Sequence, residues 1–596
     1  MADLILVEGN GAPGLDRRVV SLAAAVGIVA CPATAAEVVE SAGQARHHAD
    51  ADGSCLALSA ETLAYLDAVR GADVVLSTAL AWRCAGLLIY GCSDSPRQAA
   101  ALTRLTDGAV VHLSGVSDPS PQIAFPVEGK AMSRQLAEVP MAGTHGQSMC
   151  TFGLRDGMPG VTVAVTANAR PVLVRVQQRS VDVFLHSGPV ADVTQPVDRR
   201  YRLSEDYDAL IPLLIFLRGF FGEACWHASH SSARLTIDDP LLEKAYGFID
   251  FQSLHRSMQR AGYGATIGFI PWNHWRTSRR GAARLSAGPH HVSLCIHGCD
   301  HVNKEFASSD GALLERRATL AVQRMEALSR RAGAPFDRVM VFPQGLFSKA
   351  APAALRASGY LAAVNSSCVP VDSDPSLHLR DLLRPAVTRY GGFPVFGRRD
   401  PGPVVDFAVD LFLGKPALLV VHHEDFRAGY GRLESLVAQL HKVEPQLGWP
   451  PLGSLLSASS LQRQTRDGRM EVEFFTAAYR MAAAQGRPAQ IVLRRYEPTP
   501  HLVVGVLVDG TSAPFSFEGE YLLLELDLDP NAPHVIQVLD APRVGTRPAG
   551  FGLKHNAGVA ARRALSEFRD NVLSRHDAAA RFARTVARAM RLTGDS

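Results

Sequence analysis

Short apolar runs alternate with amphipathic stretches along most of the chain. Within the first 200 residues, 4–7, 74–77, 86–90, 160–165, 171–176 and 180–185 read as strands, and 17–26 and 95–105 as helices. This alternation predicts an open α/β sheet over 1–200. A second strand–helix rhythm runs over 230–460. From 461 to 545 the pattern changes to IVLRRYEP, HLVVGVLVDG, FSFEGEYLLLELDLD and HVIQVLD, strands with short gaps, which predict a small β-sandwich. Residues 554–592 lack proline and read as a helix. The most apolar run, 209–221, holds Pro212 and Arg218 and is too short to span a bilayer.

Composition narrows the class. At roughly 150 residues per domain, 596 residues make about three or four domains. Lys+Arg is 61 against Asp+Glu 58, so no global affinity for nucleic acid is expected. A hydrophobic share of 47% with 20% charged residues excludes a disordered chain. The nine cysteines are scattered with no CxxC pair, as expected of reduced thiols. The start, MADLILVEGNGAPG, lacks a basic region, a long apolar core and a cleavage site. A cytoplasmic protein is the expectation.

Chemistry concentrates in three segments, each an apolar run ending in ionisable residues: ARLTIDDPLL, VSLCIHGCDHVNKEF and PALLVVHHEDF. In parallel α/β folds functional groups gather at the carboxyl ends of strands. His297 and His301 are four apart, so a helical turn or tight loop can aim both imidazoles at one ion. Two histidines and one carboxylate leave room for water, the open arrangement of a catalytic divalent metal. Asp238 and Asp239 at a strand end face opposite sides, so one can bind metal and the other take a proton. Pro240 also allows a simple helix cap at this pair. Cys295 and Cys299 interleave with the histidines and could ligate as thiolates. Trp272 and Asn273, after the run GFI, are candidates for stacking on a sugar face and reading its hydroxyls; packing serves Trp272 equally well.

TIDDP, HGCDH and the run ending at His422 resemble the successive motifs of the polysaccharide deacetylase superfamily, carbohydrate esterase family 4 with NodB homology. GATIGFIPWN resembles its second strand, and GWPPLGSLL its last strand and turn. The resemblance covers about 230–460 and implies a distorted (β/α) barrel of seven strands. It implies Asp238 as base, Asp239, His297 and His301 as metal ligands, and His422 as general acid, with His423 the alternative if the register differs by one. The metal implied is zinc, with cobalt, manganese, nickel or iron also compatible. The third motif departs from the family: in VMVFPQG, Val341 stands where an arginine normally holds the base, while Pro343 and Gly345 remain. Arg398 and Arg399 are the candidate substitutes. An oxyanion would be held partly by a backbone N–H of the 343–345 loop.

The expected activity is metal-dependent hydrolysis of an amide, with N-deacetylation of an N-acetylated sugar as the first reading. A non-sugar amide or imide, or a non-catalytic scaffold in an envelope or exopolysaccharide pathway, are the other readings. Cys92 follows a strand where class I glutamine amidotransferases carry their nucleophile. Gly91 adjoins it and Asp94 replaces a second glycine, so the first unit is expected to share that fold without its activity. The last helix carries Arg562, Arg563, Arg569, Arg575, Arg581, Arg584, Arg588 and Arg591. It would meet an anionic partner or membrane surface, or pack Leu565, Phe568, Val572 and Phe582 on the body.

Overall fold

The computed structural model describes residues 3–9, 13–40, 53–286, 292–372, 377–465, 467–483, 490–529, 531–541 and 550–575. The chain is an α/β protein with several sheets. In the first sheet Ala30–Thr34, Leu4–Glu8, Cys55–Ser59, Gly86–Tyr90 and Val181–His186 lie side by side and parallel. Arg170–Gln178, Val161–Ala167, Gln122–Ala124 and Met141–Ala142 extend it antiparallel. One expected strand is not there: 74–77 lies inside the helix Asp73–Ala81. The run DVVLSTALA is apolar nearly all round, and periodicity alone cannot tell such a buried helix from a buried strand.

The apolar run at 209–221 forms the helix Tyr207–Phe221, buried along almost its whole length despite Pro212. Phe216 meets Phe184 of the first sheet edge-on at 4.9 Å. Arg218 donates to the carbonyls of Phe412, Trp226 (3.1 Å) and Leu413 (3.3 Å). One continuous apolar core therefore joins the first sheet, this helix and the outside of the second sheet. Among the described residues no helix is long and apolar enough to cross a membrane.

The second sheet has the order Ala386–Val387, Val395–Gly397, Ala362–Asn365, Val339–Val341, Ser293–His297, Ala265–Phe269, Ala233–Asp238, Ala417–Val421. All pairs are parallel except the first. Beyond Gly397 the row turns back on itself: Arg399 N donates to Leu418 O at 2.9 Å, and Val420 N donates to Arg399 O at 2.8 Å. Side-chain alternation then sorts every strand into two environments. Leu235, Ile237, Ile267, Phe269, Ile296 and Leu419 pack outward under the helices. Cys295, Val339, Val341, Val364, Phe396 and Leu418 pack inward, over Trp226, Leu452 and Leu455. The connecting helices are capped as their sequences dictate. Asp250 and Asp310 accept from Ser253 N and Leu313 N, and Gly262 and Gly333 end the helices left-handed, both at φ 71°.

Two sheets follow, of five and four strands, enclosing an apolar core that includes Phe474, Leu493, Leu522, Tyr479, Val506 and Ile536. One pair there, Met470–Phe474 with Gln490–Tyr496, is parallel. GWPPLGSLL is not a strand: Leu452–Ala458 is a helix that Pro451 introduces. The helix Leu553–Asn571 does not pack its Leu565 side on the body, the second of the two readings given for it. Leu565 (70%), Phe568 (52%) and Val572 (42%) are exposed, while Val559, Arg563 and Asp570 are buried. Phe582, Arg581, Arg584, Arg588 and Arg591 lie outside the described residues.

Arg399 does not face the inside of the sheet. It forms a paired salt bridge with Asp410 on the flanking helix Val404–Phe412, at 2.7 and 3.1 Å, joined by Lys415 Nζ at 3.0 Å. Its expected part in the site is thereby corrected. Burial alone would push the Asp410 carboxyl up, but Arg399 and Lys415 outweigh it and hold it down to about 2. Asp410→Asn is expected to lower stability by about 3 kcal/mol at neutral pH, read from the urea midpoint. The folded pKa lies below an unfolded value of about 3.9, so the contribution is full above about pH 4 and fades as pH falls toward about 2. Wild type and mutant should therefore converge in acid; a constant difference would contradict this account.

Candidate metal and hydrolytic site

Asp238 is the last residue of its strand, paired with Gly268. Its carboxylate is buried and gripped by Arg398 through two parallel bonds, Nη1–Oδ1 2.9 Å and Nη2–Oδ2 2.6 Å. Arg398 Nη1 also donates to Thr236 Oγ1 at 3.1 Å, one inward position below. Burial opposes ionisation of Asp238, but Arg398, His297 and His422 together hold its carboxyl below the usual range. Of the two arginines offered as a substitute at Val341, Arg398 is the one that meets Asp238. Gly268 leaves the room: a Cβ there would lie 2.7 Å from Asp238 Oδ1.

Asp239 leaves the strand at once, at φ 80°, with its N–H on Gly268 O at 3.1 Å. An aspartate tolerates this left-handed region at a cost of about 1–3 kcal/mol. No helix starts at Pro240; the next regular element is the two-residue strand Ala245–Tyr246. Asp239 Oδ1 lies 3.5 Å from His297 Nε2 and 3.3 Å from His301 Nε2, is buried, and has no hydrogen-bond partner. The ligand atoms of these three residues all lie within 4.8 Å of one another.

The two histidines are aimed by a tight loop rather than a helical turn. His297 Nδ1 bonds Val341 O at 3.1 Å, which makes Nδ1 the donor and turns Nε2 toward Asp239. The loop winds around the buried Glu305 carboxylate, which accepts from Cys299 N (3.0 Å), Asp300 N (2.8 Å) and His301 N (3.2 Å). His301 sits at φ 56°, its ring 4.8 Å from that of His297. Burial, with His297 and Arg563 assisting against Asp239, pushes the His301 imidazole down to about 4, so it is neutral near pH 7. An unpartnered buried carboxylate oxygen and two imidazole nitrogens converging on one point fit a divalent ion. The thiols do not join them. Cys295 lies inside the second sheet with its thiol pushed up by burial, and Cys299 meets Arg324 at 3.2 Å.

His422 follows directly after the Ile237–Val421 pair, beside Asp238 on the neighbouring strand. Its ring accepts the Asp425 N–H, and the Asp425 carboxylate accepts the His422 N–H at 2.8 Å. His423 is turned away: Nε2 faces Asp570 at 3.3 Å, and its ring stacks on Phe248. The register thus puts His422, not His423, next to Asp238. The Pro343–Gly345 turn packs against Gly298, where a Cβ would lie 2.4 Å from Pro343. The Gly345 N–H is bonded within the turn to Phe342 O at 3.0 Å. Trp272 is covered by Arg324, whose guanidinium lies 5.1 Å from its ring, a packing role. Asn273 is 1% exposed with neither amide atom bonded. Cys92 accepts Cys150 Sγ on its carbonyl, and burial pushes its thiol well up, so it is no thiolate nucleophile.

Sequence reasoning did not single out Glu305, and it gave Asp300 no role and Arg563 only a place among the arginines of the last helix. Asp300 is fully buried between Arg324 Nη1 (2.5 Å) and His555 Nε2 (2.8 Å). Its place between the two histidines was the available signal.

The structure is similar to that of Agd3, a carbohydrate deacetylase, over 90% of this chain and 98% of that one, at 11% identity and a TM-score of 0.46. A family 4 carbohydrate esterase from Streptomyces lividans, solved with acetate, matches 37% of this chain and 92% of its own, at 12% identity and a TM-score of 0.23. A pseudoenzyme of the same family from Bacillus anthracis matches 37% of this chain and 64% of its own, at 11% identity and a TM-score of 0.23. No family model matches the chain, and no curated protein matches it in sequence.

His297→Ala and His301→Ala are each expected to reduce bound zinc, cobalt or manganese from about one ion per chain to a small fraction, with the circular dichroism spectrum unchanged. Elemental analysis checks this; full metal content in either variant would remove the ligand assignment.

Proposed function

We propose that the chain is a metal-dependent hydrolase of an amide bond and that it removes the acetyl group of an N-acetylated sugar or glycan precursor. The catalytic unit in this reading is a distorted (β/α) barrel over 230–460, after an open α/β unit over 1–200 and before a β-sandwich over 461–545. The convergence of Asp239, His297 and His301 beside an Arg398-clamped Asp238 carries the proposal.

Asp239, His297 and His301 would hold the ion, which when bound polarises the acyl carbonyl and acidifies a water. Asp238 accepts the proton of the attacking water. Arg398 keeps that carboxylate ionised and aimed, so it is a base with one orientation rather than a freely rotating one. His422 supplies a proton to the leaving amine, which departs far more readily when protonated.

Asp238→Asn is expected to retain the metal and lose about 10²–10⁴-fold in kcat on N-acetylated amino sugars, measured as acetate release. An active Asp238→Asn would eliminate its role as base. His422→Ala should lose about 10²-fold, His423→Ala less than about tenfold; the reverse order would reassign the acid.

A further inference from the structure

The helix Leu553–Asn571 lies across the carboxyl ends of the second sheet with its polar side inward. It is tied to loops that follow four different strands. Asp570 accepts from Tyr246 Oη at 2.7 Å and faces His423. Glu567 pairs with Arg276, at 2.8 Å through Nη2. His555 meets Asp300 at 2.8 Å, and Asn571 Oδ1 accepts the Gly247 N–H at 2.8 Å. An ordinary surface helix would bury Leu565 and Phe568; this one leaves them in solvent because what lies beneath it is charged.

Arg563 stands between these ties. It is 3% exposed, and Nε and Nη2 have no hydrogen-bond partner. It lies within electrostatic reach of Asp239, His301 and Tyr246. A buried guanidinium with unfilled donors is costly, and its planar fork matches a carboxylate or phosphate. Asp239 can offer it only the oxygen that an ion leaves free, which fills part of its fork. An anion entering beside them would fill the remaining donors and offset the charge of Arg563 and the ion.

We propose that Arg563 is a specificity-determining residue that binds an anionic group, a carboxylate or a phosphate, carried by the substrate close to its N-acetyl group. This rests on the deacetylase reading above. The helix is then part of the substrate site, and the preferred substrate is an acidic N-acetylated sugar rather than a neutral one.

The test uses the full-length, metal-loaded protein and its Arg563→Gln and Arg563→Lys variants. Each is assayed on N-acetylglucosamine, N-acetylmuramic acid and N-acetylglucosamine 6-phosphate. The expected result is a kcat/KM preference for one acidic substrate over the neutral sugar that falls at least tenfold in Arg563→Gln, mainly through KM, and is partly restored by Lys. The acidic substrate that loses more identifies the group. An equal loss on all three, or no loss, overturns the proposal. A second measurement stands apart from turnover: calorimetric titration of the metal-loaded protein with inorganic phosphate and with acetate. At least tenfold weaker binding of one of them by Arg563→Gln is expected even if the wild type deacetylates none of the sugars, which would sink the deacetylase reading alone. Equal affinities in wild type and Arg563→Gln overturn the anion site.

Discussion

Two adjacent arginines with opposite faces organise this molecule. Arg398 points to the inner face of the second sheet and locks onto Asp238; Arg399 points to the outer face and locks onto Asp410. Between them the Arg399 backbone bonds the last strand at Leu418 and Val420 and brings the ends of the sheet together. The same two residues therefore join the strands and charge the candidate base. Removing either partner of the inner pair leaves a charge in the interior without its counter-charge, which is where a buried ion pair exerts its largest effect.

Around that pair the chain accepts strain where chemistry requires it. Asp239 and His301, two of the three converging side chains, both lie at positive φ. Each is held there by backbone bonds, Asp239 N to Gly268 O and His301 N to Glu305. The Glu305 carboxylate serves as the hub of the histidine loop, and its carboxyl is pushed up by burial against the three N–H donors that stabilise its charged form. The result is a set of donor atoms whose directions are fixed before any ligand arrives.

Much of this was legible in the sequence because it depends on local order. TIDDP, HGCDH and LLVVHH each end a strand, and strand ends meet at one edge of a parallel sheet, so Asp238, Asp239, His297, His301 and His422 could be placed together from one dimension. What was not legible depends on distant packing. The run 74–77 has the composition of a strand but is buried on all sides within a helix. Of the two arginines offered as substitutes for the missing one, only the alternation of the strand in the folded sheet separates the inner Arg398 from the outer Arg399. For the last helix the sequence left two readings open, and the charged rim it covers buries Arg563 and Asp570 rather than the apolar stripe.

The central claim is that Asp239, His297 and His301 form one metal centre in front of the Arg398–Asp238 pair. The most direct test is anomalous diffraction at the zinc edge from crystals of zinc-loaded protein. The account predicts one strong peak about 2.0–2.2 Å from an Asp239 oxygen and from His297 Nε2 and His301 Nε2. No peak there at saturating zinc, or a principal peak at Cys299, Asp300 and Glu305 instead, would contradict it.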